Sequence, residues 1–556
     1  MQKIENLLNL ALETPLQERM QTIDLNEGYS VRDNTWELIV KYNGSLDFLR
    51  NAGIEAEELI AGYGILVVPE DLIPLVANRP EIEYIEMPKR LFFSLRQGKE
   101  ASCIFPITQR EPFLTGKGVL VAVIDSGIDY ESSFFRNLDG SSRIVEFWDQ
   151  STGKIFDNNT INMLLLNNRE SLFFERPSPD VSGHGTLVTQ IAAGSPAGVA
   201  PESELLIVKL GQSVGDSFPR TTGLMRALTY VTKKAQELGR PVAINLSFGN
   251  TYGSHQGTSL LERFIDNVAE IGRTVICVGT GNEAASGGSV RGVLSQVGLS
   301  QELTVGPYET TLNLQIWKEY VDQFQITVVS PSGQRISVPD LYVGSGKSVV
   351  SLEDTKLLIY VGEPSPYSTM QEIYFEFLPM GNYITQGIWT FVLTPVRVVT
   401  GEYAFYLPSQ AARSTDTRLV GATPEGTFTI PSTASRVVRV GAYDARYDSY
   451  ADFSGRGLNG NYPDLVAPGV DIRVPIEGES DRIVSGTSFA TPFVTGSAAL
   501  LMVWGIIGRR DPFLYGEKIK AYLQSGARPI RGEREYPNPK VGYGALCLEE
   551  SLPIYI

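Results

Sequence analysis

Short apolar runs alternate with helical patterns between about residues 118 and 300. Four strand-length apolar runs lie in this region, at 119–124, 205–208, 242–246 and 275–278. Helical spacing separates them, around 185–193, 222–238 and 259–272. Strands that are apolar on both faces and are separated by helices are typical of a parallel sheet. We therefore predict an α/β fold with helices on both faces of the sheet, which resumes near Val437 and ends in an apolar helix over 488–504.

A strictly alternating pattern replaces this one between about residues 303 and 415. Leu312, Leu314 and Ile316 alternate with polar residues, and the stretch 388–407 is rich in β-branched and aromatic residues. Turn residues such as Ser330–Gly333 separate the runs. The segment is predicted to be an all-β sandwich that is inserted into the α/β domain.

A smaller module precedes the α/β region. Over residues 34–90 the pattern predicts a small α+β unit, with strands at 36–40, 65–68 and 82–86 and helices over 46–60 and 72–77. Periodicity is lost over 91–113, which we expect to be an exposed connector. The predicted segments are 1–97, 98–302, 303–415 and 416–556. The second and fourth of these segments form one α/β domain that the third interrupts.

Composition narrows the classes of function. The net charge of −16 opposes binding to a phosphate backbone, so we expect no nucleic-acid partner. The three cysteines form no CxxC pair and do not supply the ligands of a structural zinc site. The first twenty residues lack the basic start and apolar stretch of a secretion signal, and no purely apolar run reaches about 18 residues. We therefore expect no membrane partner and a cytoplasmic location.

Histidine sets the sharpest limit on the chemistry, because the chain has only His184 and His255. A mechanism with an imidazole as general base must use one of them. His255 lies in a loop-like stretch without an accompanying motif, and we expect it to be exposed. His184 lies between Gly183 and Gly185 at the start of a predicted helix, where the backbone can approach a neighbour closely. Taken alone, His184 could equally be a structural histidine.

Two further segments carry candidate catalytic side chains. Asp125 ends the strand 119–124, where α/β proteins place functional groups, although an aspartate at the end of a strand is common. Ser488 opens the apolar helix, among backbone N–H groups without helical partners and at the positive end of the helix dipole. A helix cap is the alternative role for Ser488. The three motifs together are far more specific than any one of them.

These motifs resemble those of the subtilisin-like serine proteases, in which the triad follows the same chain order of Asp, His and Ser. The resemblance covers about 118–300 and 420–525. It implies that Ser488 is the nucleophile, that His184 is the general base and acid, and that Asp125 orients the imidazole. Asn282 matches the amide that stabilises the oxyanion in this family.

The same resemblance implies how a protein or peptide substrate binds. One wall of the first specificity pocket would be the segment that pairs with an extended peptide, namely Ser247, Phe248 and Gly249. The opposite wall would be Gly279, Thr280 and Gly281. No cofactor is implied. Residues 193–201 are shorter than the family's usual calcium loop and lack its asparagines, so we expect no metal there.

Within the family, the chain most resembles the clostridial germination proteases, the Csp group, which carry an inserted jelly-roll domain. Residues 1–97 would then be a prodomain that assists folding, and we expect self-cleavage between Gln97 and Gly98. The prodomain would be a second partner, which the enzyme could retain after cleavage. In that group the substrate is the precursor of a spore-cortex hydrolase. Activation of a precursor by limited proteolysis in spore germination is therefore the role that the resemblance implies, with a spore-associated location.

Two hypotheses from different classes lead at this point, and a third, an extracellular nutritive protease, is weakened by the missing secretion signal. The first is an active serine endopeptidase, which the presence of Asp125, His184, Ser488 and Asn282 favours. The second is a catalytically silent relative that serves as a binding or signalling scaffold, since some members of the Csp group have a degenerate triad. Self-cleavage, or labelling by a fluorophosphonate, would distinguish them.

Overall fold

The computed structural model describes residues 3–20, 22, 25–31, 33–89, 92–93, 101–104, 107–108, 113–166, 174–211, 219–338, 346–477 and 481–553. The chain forms two compact units, each built from three segments. We call the first the β-rich unit; it comprises Met1–Arg90, Asn250–Arg263 and Glu283–Gly426. We call the second the α/β unit; it comprises Leu91–Gly249, Phe264–Asn282 and Thr427–Ile556.

A twisted, mostly parallel sheet organises the α/β unit. Among the described residues it has nine strands, in the order Ser449–Tyr450, Val438–Asp444, Thr274–Gly279, Val242–Leu246, Leu120–Asp125, Glu204–Lys209, Ile144–Asp149 and Lys154–Asp157, with Leu465–Pro468 beside Val438–Asp444. The six strands from Val438–Asp444 to Ile144–Asp149 are parallel. Every residue of the three central strands is buried, as expected when both faces of a parallel sheet are covered. The predicted α/β fold is confirmed.

Helices lie between and after these strands. They span Asn158–Leu165, His184–Ala193, Thr221–Glu237, Leu260–Ala269, Thr487–Met502, Glu517–Ser525 and Leu548–Ser551, with a π-helical turn at Val503–Ile507. Every residue of Thr487–Met502 is buried. This helix packs closely on His184–Ala193 because Gly496 has no side chain: a Cβ there would lie 2.7 Å from the carbonyl oxygen of Ala192.

The stretch Thr487–Ile507 is an exception to the expectation that no segment is long and apolar enough to span a membrane. Among the described residues it is the one helix that is long and apolar enough, by length and composition, to cross a membrane. Serine, threonine and glycine residues interrupt the apolar residues of this stretch, so it contains no long uninterrupted apolar run. About 83% of its most apolar window is buried inside the protein, so it serves as a core helix.

A disulfide joins two distant segments of the α/β unit. Cys103 and Cys547 are 444 residues apart in sequence and are linked in the structure, and the Leu548 N–H donates to the Ser102 carbonyl at 3.2 Å. Cys277 is buried and unlinked. No sequence pattern pairs Cys103 with Cys547, because only the fold brings these two segments together.

An antiparallel sheet forms the N-terminal part of the β-rich unit. Its strands are Tyr29–Ser30, Thr35–Tyr42, Tyr63–Pro69, Glu55–Glu58 and Ile82–Glu86. The short helices of this part are Asn6–Leu12, Leu16–Arg19, Asp47–Asn51 and Ile73–Ala77. The predicted helix over 46–60 is wrong in its second half. The helix ends at Asn51, and Gly53, with φ of +79°, turns the chain into the strand Glu55–Glu58.

Two antiparallel sheets form the inserted β-sandwich. The strands of one sheet are, in spatial order, Ser289–Val293, Glu402–Tyr406, Leu312–Glu319, Met370–Pro379, Thr355–Val361 and Gly346–Leu352. Those of the other are Arg335–Ser337, Gln323–Val329, Gly387–Arg397, Leu299–Val305 and Arg418–Leu419. The sandwich therefore starts before the predicted residue 303 and ends after 415. The first strand was missed because its sequence, Ser289–Val293, contains Arg and Gly and does not alternate.

One strand of the sandwich is buried on both faces, and this links it to the N-terminal part. In Met370–Pro379 the side chains of Ile373, Phe375 and Phe377 belong to the core between the two sheets. Tyr374 and Leu378, on the opposite face, belong to a second core, which contains N-terminal residues such as Leu7, Leu8, Trp36, Leu38 and Met87. The N-terminal part and the sandwich thus share one continuous hydrophobic core.

Candidate active site

The carboxyl end of the central strand places Asp125 inside the α/β unit. Asp125 is fully buried, and its Oδ1 accepts hydrogen bonds from the Ser126 N–H at 2.7 Å and from Nδ1 of His184 at 2.7 Å. A carboxylate can only accept here, so Nδ1 carries the hydrogen and Nε2 is left as the basic nitrogen. The Asp125 carboxylate therefore fixes the orientation of the His184 ring.

Two glycines bring His184 to this position. Gly183, with φ of +68°, adopts a left-handed conformation immediately before the helix His184–Ala193. Gly185 lies so near the neighbouring strand end that a Cβ would be 2.2 Å from the Gly127 carbonyl oxygen. The expectation that glycines permit a close approach of the backbone is confirmed.

The helix Thr487–Met502 carries Ser488 one residue before Phe489, which contacts the imidazole. The ring of Phe489, the next residue, packs against that of His184 with centroids 5.3 Å apart. Ser488 is almost fully buried, and its hydroxyl donates to the Ser247 carbonyl at 2.9 Å. Gly486 stands at the N-cap and no side chain caps this helix, so Ser488 is not a capping residue.

Asn282 is held by the residue that precedes Ser488. Its Oδ1 accepts from the Thr487 N–H at 3.0 Å and from the Thr487 hydroxyl at 3.1 Å. Both partners are donors, which assigns Oδ1 to their side of the amide and Nδ2 to the other. The side chain can therefore offer an N–H donor close to the helix start that carries Ser488.

The two predicted pocket walls lie on neighbouring strand ends. Phe248–Gly249 pairs in antiparallel register with Phe92–Phe93, so that Phe248 is opposite Phe93 and Gly249 is opposite Phe92. A segment of the chain's own connector therefore already uses the edge that the sequence assigned to peptide binding. Gln97 and Gly98, the predicted self-cleavage residues, lie outside the described residues.

Thr429 lies between the two predicted pocket walls, a position that the sequence did not reveal. An ideal Cβ at Gly249 would lie 2.6 Å from its Oγ1, and one at Gly281 would lie 2.5 Å from the same atom. Its N–H donates to the Thr280 carbonyl at 3.0 Å. The Thr429 side chain thus fills the space between the two walls. No local pattern marks it, because the chain reaches this point only after the whole β-insertion.

The second histidine, His255, lies in the β-rich unit. It is buried, so the prediction that it is exposed is wrong. His255 is 6% exposed, its ring stacks on Tyr406 at 4.0 Å, and its Nε2 lies 3.0 Å from the Thr251 carbonyl oxygen. The loop-like sequence misled because glycine and serine here allow a compact turn that buries the ring. His255 is a structural histidine.

A buried guanidinium lies at the start of the segment 193–201, where no metal is expected. Arg143 donates from Nη1 to the Ser203 carbonyl at 2.6 Å and from Nη2 to those of Phe134 and Ala193 at 2.8 and 2.6 Å. Burial lowers the pKa of Arg143 to about 10, and the nearby Glu202 and Glu204 oppose that shift. In the described part of the chain, no group of three or more His, Cys, Asp or Glu side chains is arranged to hold a metal ion.

Models of two known protein families together match most of the chain. The model of the subtilase family matches residues 116–369 and 414–544, and that of the Csp protease B prodomain matches residues 2–89. Among solved structures, the CspB protease of Clostridium perfringens is 34% identical, and the match covers 81% of this chain and 95% of that one with a TM-score of 0.75.

Similarity to curated proteins covers shorter segments. A thermophilic serine proteinase of Bacillus sp. (strain AK1) is 47% identical over 75 residues, which are 14% of this chain and 18% of that protein. Serine protease AprX of Bacillus subtilis (strain 168) is 32% identical over 151 residues, 23% of this chain and 32% of that protein. The chain thus spans less than a third of the length of these curated relatives.

Proposed function

Because the chain belongs to the subtilase family and to its Csp group, we propose that it is a serine endopeptidase with Ser488 as nucleophile and His184 as general base. One observation carries the proposal. The buried Asp125 carboxylate lies 2.7 Å from Nδ1 of His184, on an imidazole that packs against the residue next to Ser488. The carboxylate orients the ring and stabilises the imidazolium that forms during the reaction.

Each step of acyl transfer can be assigned to a side chain. The Ser488 hydroxyl, which donates to the Ser247 carbonyl at rest, turns to Nε2 of His184 and loses its proton as Oγ attacks the scissile carbonyl. The oxyanion accepts hydrogen bonds from Nδ2 of Asn282 and the Ser488 N–H. His184 then protonates the leaving amine, and a water molecule hydrolyses the acyl-enzyme by the reverse sequence.

Peptide substrates would bind by adding a strand to Phe248–Gly249, as Phe92–Phe93 does within this chain. Because the connector already pairs with this edge, its continuation is the first peptide that the enzyme would meet. We expect self-cleavage in this connector, between Gln97 and Gly98. Ser247 and Gly279–Gly281 would flank the side chain that precedes the cut, and Thr429 would limit its size.

After that cut the prodomain would remain bound. It shares a hydrophobic core with the β-sandwich, and polar contacts add to it: Lys356 Nζ lies 2.5 Å from Glu18, and the Tyr367 hydroxyl donates to Glu83 at 3.0 Å. Cleavage of a connector removes none of these contacts. The Csp similarity further favours activation of a precursor protein by limited proteolysis in spore germination, in a cytoplasmic or spore-associated setting.

Labelling with a fluorophosphonate tests the proposed chemistry. Wild-type protein should be labelled at Ser488, while Ser488→Ala and His184→Ala should not be labelled. Ser485→Ala is the matched control, because this serine lies in the same segment and its hydroxyl accepts from the Asp471 N–H. An unlabelled wild type with native stability would contradict the proposal and favour the scaffold alternative.

A further inference from the structure

A second carboxylate lies between the elements that carry Asp125 and His184. Asp180 belongs to the segment that leads into the helix His184–Ala193, and it is half-buried. Its two oxygens accept five hydrogen bonds. The donors to Oδ1 are the Ser126 hydroxyl at 2.8 Å, the Gly183 N–H at 3.1 Å and, at 3.2 Å, the Ser182 hydroxyl, whose one hydrogen is shared with a shorter bond of 2.8 Å to the Ser126 hydroxyl. The donors to Oδ2 are the Thr186 N–H at 2.9 Å and the Thr186 hydroxyl at 2.7 Å.

These donors flank the two triad members. Ser126 follows Asp125 directly, whereas Gly183 and Thr186 lie on either side of His184. The Ser126 hydroxyl also accepts from the Gly185 N–H at 2.9 Å, so one serine bridges the strand end, the helix start and Asp180. The network therefore ties together two elements whose relative position sets the bond between Asp125 and His184.

The helix start makes a carboxylate the suitable group for this task. N–H groups in the first turn of a helix have no helical partner, and the positive end of the helix dipole favours a negative charge. A neutral side chain of the same size would satisfy fewer of the five donors. Hydrogen bonds to an ionised acceptor are also stronger than those between neutral groups.

From this arrangement we propose that Asp180 is a positioning residue for peptide hydrolysis, which fixes the helix start at His184 against the strand end at Asp125. This inference rests on the proposed triad chemistry. Asp180 does not touch the reacting atoms. Its contribution is the orientation of the imidazole, so its loss should lower kcat more than it changes KM.

Other charged groups lie near Asp180 and contribute to the electrostatic potential at the helix start. Lys209 donates from Nζ to the Pro179 carbonyl at 2.7 Å, and the Arg482 guanidinium would lie 3.1 Å from a Cβ at Gly183. Burial raises the pKa of Asp129, and the Asp180 charge contributes to that shift. An anion near an imidazole favours its protonated form, so removal of the Asp180 charge should move the acid limb of kcat/KM to lower pH.

The test is a set of substitutions in the full-length protein. Asp180→Asn replaces one acceptor oxygen by an NH₂ group that faces the donors, and kcat per fluorophosphonate-titrated site should fall at least tenfold with KM changed less than threefold. Ser126→Ala removes the bridging hydroxyl and should lower kcat by a smaller factor. The double variant should resemble Asp180→Asn alone, because both changes break one network.

Asp157→Asn is the matched control, since Asp157 caps the helix Asn158–Leu165 with a 2.8 Å bond from the Thr160 N–H and ends the strand at the far edge of the sheet from the one that carries Asp125. It should leave kcat and the pH profile unchanged. The proposal is overturned if Asp180→Asn keeps kcat within twofold of wild type, or only lowers the melting temperature. If Asp180→Asn is insoluble, an unchanged kcat in Ser126→Ala overturns it. Failure of wild type itself to label would instead refute the proposed function.

Discussion

Arg143→Met should destabilise the α/β unit, because it removes the one cation that three carbonyl groups share. Arg143 is 3% exposed and donates to the carbonyls of Phe134, Ala193 and Ser203. A hydrogen bond from a charged donor contributes about 1.5–3 kcal/mol, so the three together contribute about 4–9 kcal/mol. Methionine retains most of the aliphatic volume, which confines the change to the charged head group.

The cost of burying the charge reduces this contribution. Burial lowers the pKa of Arg143 to about 10, which corresponds to about 3 kcal/mol that the methionine variant recovers. A net loss of about 3 kcal/mol therefore follows, and in a unit of this size it should lower the melting temperature by roughly 5 °C.

Differential scanning calorimetry of the Ser488→Ala background, in which self-cleavage cannot interfere, measures the effect of Arg143→Met. Arg143→Lys should also lower the melting temperature, since one ammonium group cannot reproduce the geometry of two guanidinium nitrogens that contact three carbonyls. A melting temperature of Arg143→Met within 1 °C of the parent, or above it, would refute the reasoning.

The remaining predictions concern the oxyanion site, the base, the buried carboxyl and metals. Asn282→Leu should lower kcat by about 10²–10³ with little change in KM, measured on a peptide substrate, because one oxyanion donor is lost; an unchanged kcat would exclude this role. Activity should rise with pH as the imidazole of His184 loses its proton, and His255→Ala should leave this profile intact whereas His184→Ala abolishes turnover. Burial raises the pKa of Glu372 to about 7, so the folded state retains a proton that the unfolded chain has released, and stability should fall as pH rises from about 4.5 to about 7. Burial also raises the pKa of the neighbouring Glu5, to about 8, so Glu372→Gln should reduce this fall in urea titrations without abolishing it. Treatment with EDTA should leave the melting temperature unchanged, and a fall reversed by calcium would contradict the expected absence of a metal at 193–201.

The sequence predicted the fold and the candidate site best where the residues that form a local pattern are also the residues that the fold requires. Buried parallel strands need continuous apolar runs, so the strand that ends at Asp125 could be located from the sequence. Close packing at His184 needs glycines on both sides, and these glycines are part of the motif. The pattern failed where structure depends on distant partners. Thr429 lies in a stretch without periodicity, and only the folded chain brings it between the two predicted pocket walls. Asp180 lies four residues before His184, but only the folded chain brings it to the Ser126 hydroxyl.

The boundaries of the β-insertion show the same limit. Ser289–Val293 does not alternate, and its place in the sandwich is fixed by pairing with Glu402–Tyr406, more than a hundred residues later. The burial of His255 likewise comes from stacking on Tyr406, which no local sequence signal reveals.

Self-cleavage tests the central claim most directly, because it requires the nucleophile, the base and the peptide-binding edge in one molecule. Intact mass spectrometry of freshly purified protein should show wild type cut within 91–100, at Gln97–Gly98, with the two fragments still eluting together. Ser488→Ala should remain a single chain of 61.0 kDa. A wild type that stays uncut while it is folded, or a cut that persists in Ser488→Ala, would contradict the account.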